Sequence, residues 1–80
     1  MNTNIRDFVE YLVLSLCEDK DAVSITESVD DRGNLIIISV AEADMGRLIG
    51  RAGKNISALR TLVNVMAART EQRYSLKVVE

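Results

Sequence analysis

The sequence predicts an α+β domain in which three helices pack on one face of a three-stranded mixed sheet. Three observations lead there. Apolar residues recur at helical spacing near the N-terminus and again from about position 54 to 70. They alternate with polar residues in three shorter stretches, and the stretches follow one another as helix, strand, strand, helix, helix, strand. A sheet with one apolar face needs a covering layer, which the helices supply. With 80 residues the chain has room for one domain, expected to span 1–80.

In the segment from Asn4 to about Asp19, the residues Ile5, Phe8, Val9, Leu12, Val13 and Leu16 share one helical face. Asn4 is suited to cap this helix, and Asp7 adds a favourable charge to its first turn. Cys17 lies at the edge of the stripe and reads as a small core residue, while Leu14 falls on the charged face with Arg6, Asp7 and Glu10. From Ala22 to Val29, the residues Val23, Ile25 and Val29 alternate with Ser24, Thr26 and Ser28, and Glu27 interrupts the apolar side. That is a half-buried strand. Asp30-Asp31-Arg32-Gly33-Asn34 is a turn cluster, and the isoleucine-rich run Leu35 to Ala41 is a more deeply buried strand, so the two form a hairpin.

Asp44 is placed to cap a short helix from Met45 to about Ile49, which Gly50 and Gly53 interrupt. A longer helix then runs from near Lys54 to about Thr70. Its apolar face is Ile56, Leu59, Leu62, Val63, Met66 and Ala67, and Ala58, Leu62 and Val65 widen the stripe to one side. Tyr74, Leu76 and Val78 alternate with Ser75 and Lys77 in a final strand, Tyr74 to Val79.

Composition narrows the function classes. Hydrophobic residues at 48% and charged residues at 28% are the usual mix of a soluble globular domain. With no histidine and one cysteine, the chain lacks the ligands of an ordinary zinc site, cannot close a disulfide of its own and offers no activated nucleophile. Neither a cofactor nor enzyme activity is therefore expected. No apolar run approaches the ~20 residues of a membrane span, and Arg6, Asp7 and Glu10 break up any signal-like N-terminal run, so the expected location is cytoplasmic, without membrane insertion.

The net charge of −2 conceals a division. Residues 1–45 hold three basic and ten acidic side chains, whereas residues 46–80 hold seven basic and two acidic ones. Between Gly46 and Thr70 there are five basic residues and no acid. An electropositive region of this kind suits a nucleic-acid backbone, and it equally suits the basic half of a dimer contact. Within it, Gly50-Arg51-Ala52-Gly53 forms a side-chain-poor corner between two helices. The corner opens onto a helix N-terminus, where amides without intrahelical partners and about +0.5 of dipole charge meet Arg51 and Lys54. A phosphate is the natural occupant. Other phosphate motifs do not fit. Lys54 is followed by Asn55 where a P-loop has Ser or Thr, and Leu48 stands where both the P-loop and the dinucleotide fingerprint require glycine.

The run Leu48-Ile49-Gly50-Arg51-Ala52-Gly53-Lys54-Asn55-Ile56 resembles the I-G-x-x-G-x-x-I signature of the KH RNA-binding domain, and the element order is similar to its type II arrangement. Asp44-Met45-Gly46-Arg47 before it and Ala58-Leu59-Arg60-Thr61-Leu62-Val63 after it are similar, more narrowly, to the small single-KH bacterial proteins of the KhpA family. The resemblance implies a type II KH fold (α-β-β-α-α-β) that binds single-stranded RNA, clamping the backbone over about four nucleotides. It implies Gly50, Arg51, Ala52 and Gly53 as the clamp, Ile49 and Ile56 as groove floor, and Lys54, Arg47 and Arg60 as charge contributors. Ala52 stands where such loops often carry a basic or polar residue, which points to modest affinity. The resemblance further implies an RNA chaperone or post-transcriptional regulator linked to cell elongation and envelope homeostasis, acting as a homodimer or with a larger KH-containing protein, KhpB. The residues also admit another reading, in which the stripe of Ala58, Leu62 and Val65 serves protein association and RNA binding is slight.

Overall fold

All six elements form in a computed structural model, which describes residues 4–79. They are helix α1 (Ile5–Leu16), strands β1 (Ser24–Asp30) and β2 (Gly33–Ser39), helices α2 (Glu42–Ile49) and α3 (Lys54–Arg69), and strand β3 (Tyr74–Val79). Single 3-10 turns occupy Lys20–Ala22 and Arg51–Gly53.

β2 is the central strand. It pairs antiparallel with β1, setting Ile25 opposite Ile38, and parallel with β3, setting Ile36 opposite Leu76. Parallel neighbours cannot be joined by a tight turn, so the chain must cross over, and α2 and α3 make that crossing. The α2–α3 corner thus rides on a connection that the sheet anchors at both ends. At the hairpin, the Asp30 carboxylate accepts the Arg32 amide at 2.7 Å. Gly33 at φ +123° lets the Arg73 backbone come within reach, and the Asn34 amide donates to the Arg73 carbonyl at 2.8 Å.

The core is built from four-residue spacings on the helices and two-residue spacings on the strands. Ile5, Val9, Val13 and Cys17 from the first helix and its end face Leu59, Val63 and Ala67 of α3, above Ile25, Ile36, Ile38 and Leu76 of the sheet. Leu48 is the one fully buried side chain of α2 and ties that short helix to the core. The Cys17 thiol is buried with them, and burial, with Asp44 nearby, pushes its pKa up. No helix of the described residues is long and apolar enough to cross a membrane.

Several local expectations are corrected. The first helix ends at Leu16, not near Asp19. Cys17 leaves helical geometry, and the amides of Glu18 and Asp19 donate to the Asp44 carboxylate at 3.1 and 3.0 Å. Asp44 consequently does not cap α2: it lies inside that helix, with Ala41 at the cap position, and it fastens the end of α1 to α2. Leu14 is half-buried rather than exposed. Val29, at the hairpin end of β1 beyond the cover of the helices, is 71% exposed, and Leu62 and Val65 are 46% and 55% exposed. The side stripe on α3 is therefore surface, because the core takes the flank of that helix that carries Leu59, Val63 and Ala67.

Candidate nucleic-acid interface

The corner is assembled from backbone geometry that few residues tolerate. The Gly50 amide closes α2 by donating to the Gly46 carbonyl at 2.8 Å, and the chain then leaves the helix at φ 78°, ψ 170°. A Cβ at Gly50 would lie 2.7 Å from Asn55 Cγ and 2.9 Å from the Asn55 nitrogen, so both conformation and space require glycine. Ala52 and Gly53 follow at φ 57° and 74°, two successive left-handed residues that turn the chain into α3. At Gly53 a Cβ would meet nothing within 4 Å, so only its dihedral angle matters.

The corner faces solvent. Arg51, Ala52 and Lys54 are exposed, and Gly50 and Gly53 are half-buried. Arg51, Lys54 and Arg60 make no ion pair among the described residues, which leaves the charges of Arg51 and Lys54 available at the start of α3. The 16 residues of α3 add the positive end of the helix dipole there. Two backbone donors are not available as the sequence suggests, however. The Gly53 amide donates to the Gly50 carbonyl at 3.0 Å, and the Lys54 amide donates to the Arg51 carbonyl. The corner therefore offers an anion chiefly charge and close approach, with fewer free amides than a regular helix start.

The remaining predicted site residues separate into two groups. Ile49 is 37% exposed at the last position of α2, and Ile56 is half-buried against the core in the first turn of α3, so the two flank the corner. Arg47 points elsewhere: its guanidinium pairs with Glu18 at 3.1 Å and lies 4.0 Å from Asp44. It faces Glu18, just past α1, and Asp44 within α2, and is less available than Arg51 or Lys54. Arg60 lines a shallow groove between α3 and β3 with Asn64, Tyr74 and Ser75. Strand and helix are brought together there by the crossover, so periodicity alone gives no sign that Tyr74 lies beside Arg60. Desolvation, with Glu27 alongside, pushes the Tyr74 phenol above its usual pKa and keeps it a neutral aromatic.

The chain matches a known family description, KhpA/KhpB, KH domain, over residues 6–78. The chain belongs to the KhpA/KhpB KH-domain family. Its element order is that of the type II KH fold. Relatives of similar length carry the name RNA-binding protein KhpA. The chain is 30% identical to that of Borreliella burgdorferi over 92% of this chain and 90% of the relative. It is 33% identical to that of Chlamydia pneumoniae over 95% and 97%, and 29% identical to that of Treponema pallidum over the full length of both. No solved structure matches the chain significantly.

Proposed function

We propose that the corner between α2 and α3 is the KH loop of this chain and that it binds single-stranded RNA, with Gly50, Arg51, Ala52 and Gly53 against the sugar-phosphate backbone and Lys54 adding charge. Ile49 and Ile56 border the apolar floor on which bases rest, and Arg47 contributes only long-range charge because of its pairing with Glu18. The observation that carries this reading is the solvent-facing loop with Arg51 and Lys54 free of ion pairs among the described residues, in a chain whose full-length relatives are named RNA-binding proteins. KH-type recognition needs such a loop, because a narrow backbone clamp cannot form around bulky side chains.

Binding is of modest strength. A loop touching roughly two to four phosphates gives a fall of log K with log salt of slope about −1.5 to −3. Weak single modules gain from pairing, which fits a role as one half of a homodimer or of a complex with a KhpB-like protein. The chain then acts as a single-domain, non-enzymatic RNA chaperone or post-transcriptional regulator in the cytoplasm, serving cell elongation and envelope homeostasis. The direct test replaces both loop residues, Arg51→Asp with Ala52→Asp. The doubly substituted protein should keep its circular dichroism and lose binding to a mixed single-stranded RNA pool. Undiminished binding rejects the loop assignment.

A second reading has its own support. Tyr11 is 70% exposed on α1, and Leu62 and Val65 are about half exposed on α3. Between the two helices Leu12, Leu16, Ala58, Leu59 and Leu62 line an apolar groove. This face suits protein association, and its outer part on α3, Leu62 and Val65, lies away from the buried Val63 and Ala67.

A further inference from the structure

We infer that Asn55 is a positioning residue that holds the KH loop in its binding shape. The last carbonyls of α2 have no partner within the helix. That of Gly46 receives the Gly50 amide, and that of Arg47 receives Asn55 Nδ2 at 2.7 Å. The donor must be the amide NH2, since the acceptor is a carbonyl. One side chain, two residues into α3, therefore caps the helix on the other side of the loop. Among the described residues this is the one side-chain hydrogen bond that bridges the loop.

The same side chain fills the notch opposite Gly50, where a Cβ would come within 2.7 Å of Asn55 Cγ. Cap and notch together set where α2 stops and at what angle the chain leaves it. Between the two anchor points lie Gly50 at φ 78°, Ala52 at φ 57° and Gly53 at φ 74°. Ala52 occupies a conformation that alanine disfavours, and its side chain, like that of Arg51, is exposed rather than packed. Core packing thus does little to impose the loop shape. A polar tie across its ends does so directly, and a loop already shaped loses less freedom when a ligand binds.

The inference deepens the RNA-binding reading and rests on it for its consequence, but not for its structural content. The test compares Asn55→Ala, Asn55→Leu (which keeps bulk without the donor) and the doubly substituted loop control, Arg51→Asp with Ala52→Asp. The measurements are melting temperature, affinity for a short unstructured mixed-sequence RNA as a function of salt, and backbone 15N order parameters of residues 51–53 in the free protein. Both Asn55 variants should stay folded and bind roughly 3- to 10-fold more weakly, the effect of one lost hydrogen bond. Their salt slope should match wild type, because no phosphate-pairing cation is removed. Their loop order parameters should fall.

Wild-type loop order in both variants overturns the inference, and if affinity falls all the same, Asn55 touches RNA directly. If the loop control binds RNA as well as wild type does, the RNA reading fails, and the order parameters still decide whether Asn55 shapes the loop.

Discussion

The two glycines of the KH loop should respond very differently to the same substitution. At Gly50, alanine meets two penalties. The backbone at φ 78°, ψ 170° lies in a region that is essentially glycine-only and costs of order 1–3 kcal/mol for other residues. The new Cβ also comes to 2.7 Å from Asn55 Cγ and 2.9 Å from its backbone nitrogen, an overlap costing about 1–3 kcal/mol to relieve. The reduced freedom of the unfolded chain returns roughly 0.4–1 kcal/mol. Gly50→Ala should therefore destabilise by about 1–5.5 kcal/mol, centred near 3, a large part of the ~4–12 kcal/mol typical of a chain this long. At Gly53 the space is open and only the left-handed dihedral counts, about 1–2 kcal/mol before the same unfolded-state return. Gly53→Ala should cost about 0–1.5 kcal/mol. Urea denaturation of both variants, with m-values checked for constancy, gives the two numbers directly. Equal losses, or a Gly50→Ala protein as stable as wild type, would refute the geometric argument.

Two further outcomes follow from the packing. The Asp44 carboxyl is held below its ordinary pKa by the amides of Glu18 and then Asp19, with burial opposing and Arg47 assisting. A depressed folded-state value means that its contribution is complete above the unfolded pKa of about 3.9 and is lost as pH falls through the lower, folded value. Melting curves across acidic pH should show a shallower loss for Asp44→Asn than for wild type, together with a lower melting temperature near neutrality; parallel acid limbs would contradict this. If Leu62 serves protein association, Leu62→Asp should fold normally, because the side chain is 46% exposed, and should sediment as a monomer where wild type self-associates. An unfolded Leu62→Asp chain would return Leu62 to the core.

The fold was legible because its burial is periodic. The four-residue steps Ile5, Val9, Val13 and Leu59, Val63, Ala67, and the two-residue step Ile36, Ile38, are patterns that a single strand of text displays. The loop was legible for a similar reason, since glycine spacing and neighbouring cations are local. What escaped depends on contacts between distant segments. Asp44 sits where a helix cap is expected, yet it accepts amides 25 and 26 positions earlier. Arg47 belongs by position with the basic cluster, but its charge is turned toward Glu18. The wide apolar stripe of α3 does not say which flank α1 will cover, so Leu62 and Leu59 read alike although one is surface and the other core. Gly50 and Gly53 are equivalent as letters and differ only through the side chain of Asn55. That side chain had no assigned role, although an amide just beyond a glycine corner is well suited to bridge it.

RNA that lies against the exposed KH loop will be seen in the backbone amide shifts of the 15N-labelled protein during titration with a short single-stranded RNA. The largest shifts should fall at Gly50, Arg51, Ala52, Gly53 and Lys54, extend to Ile49 and Ile56, and diminish as salt is raised. Shifts concentrated on α1 or on the outer side of the hairpin, with the loop unmoved, would contradict this placement of the RNA.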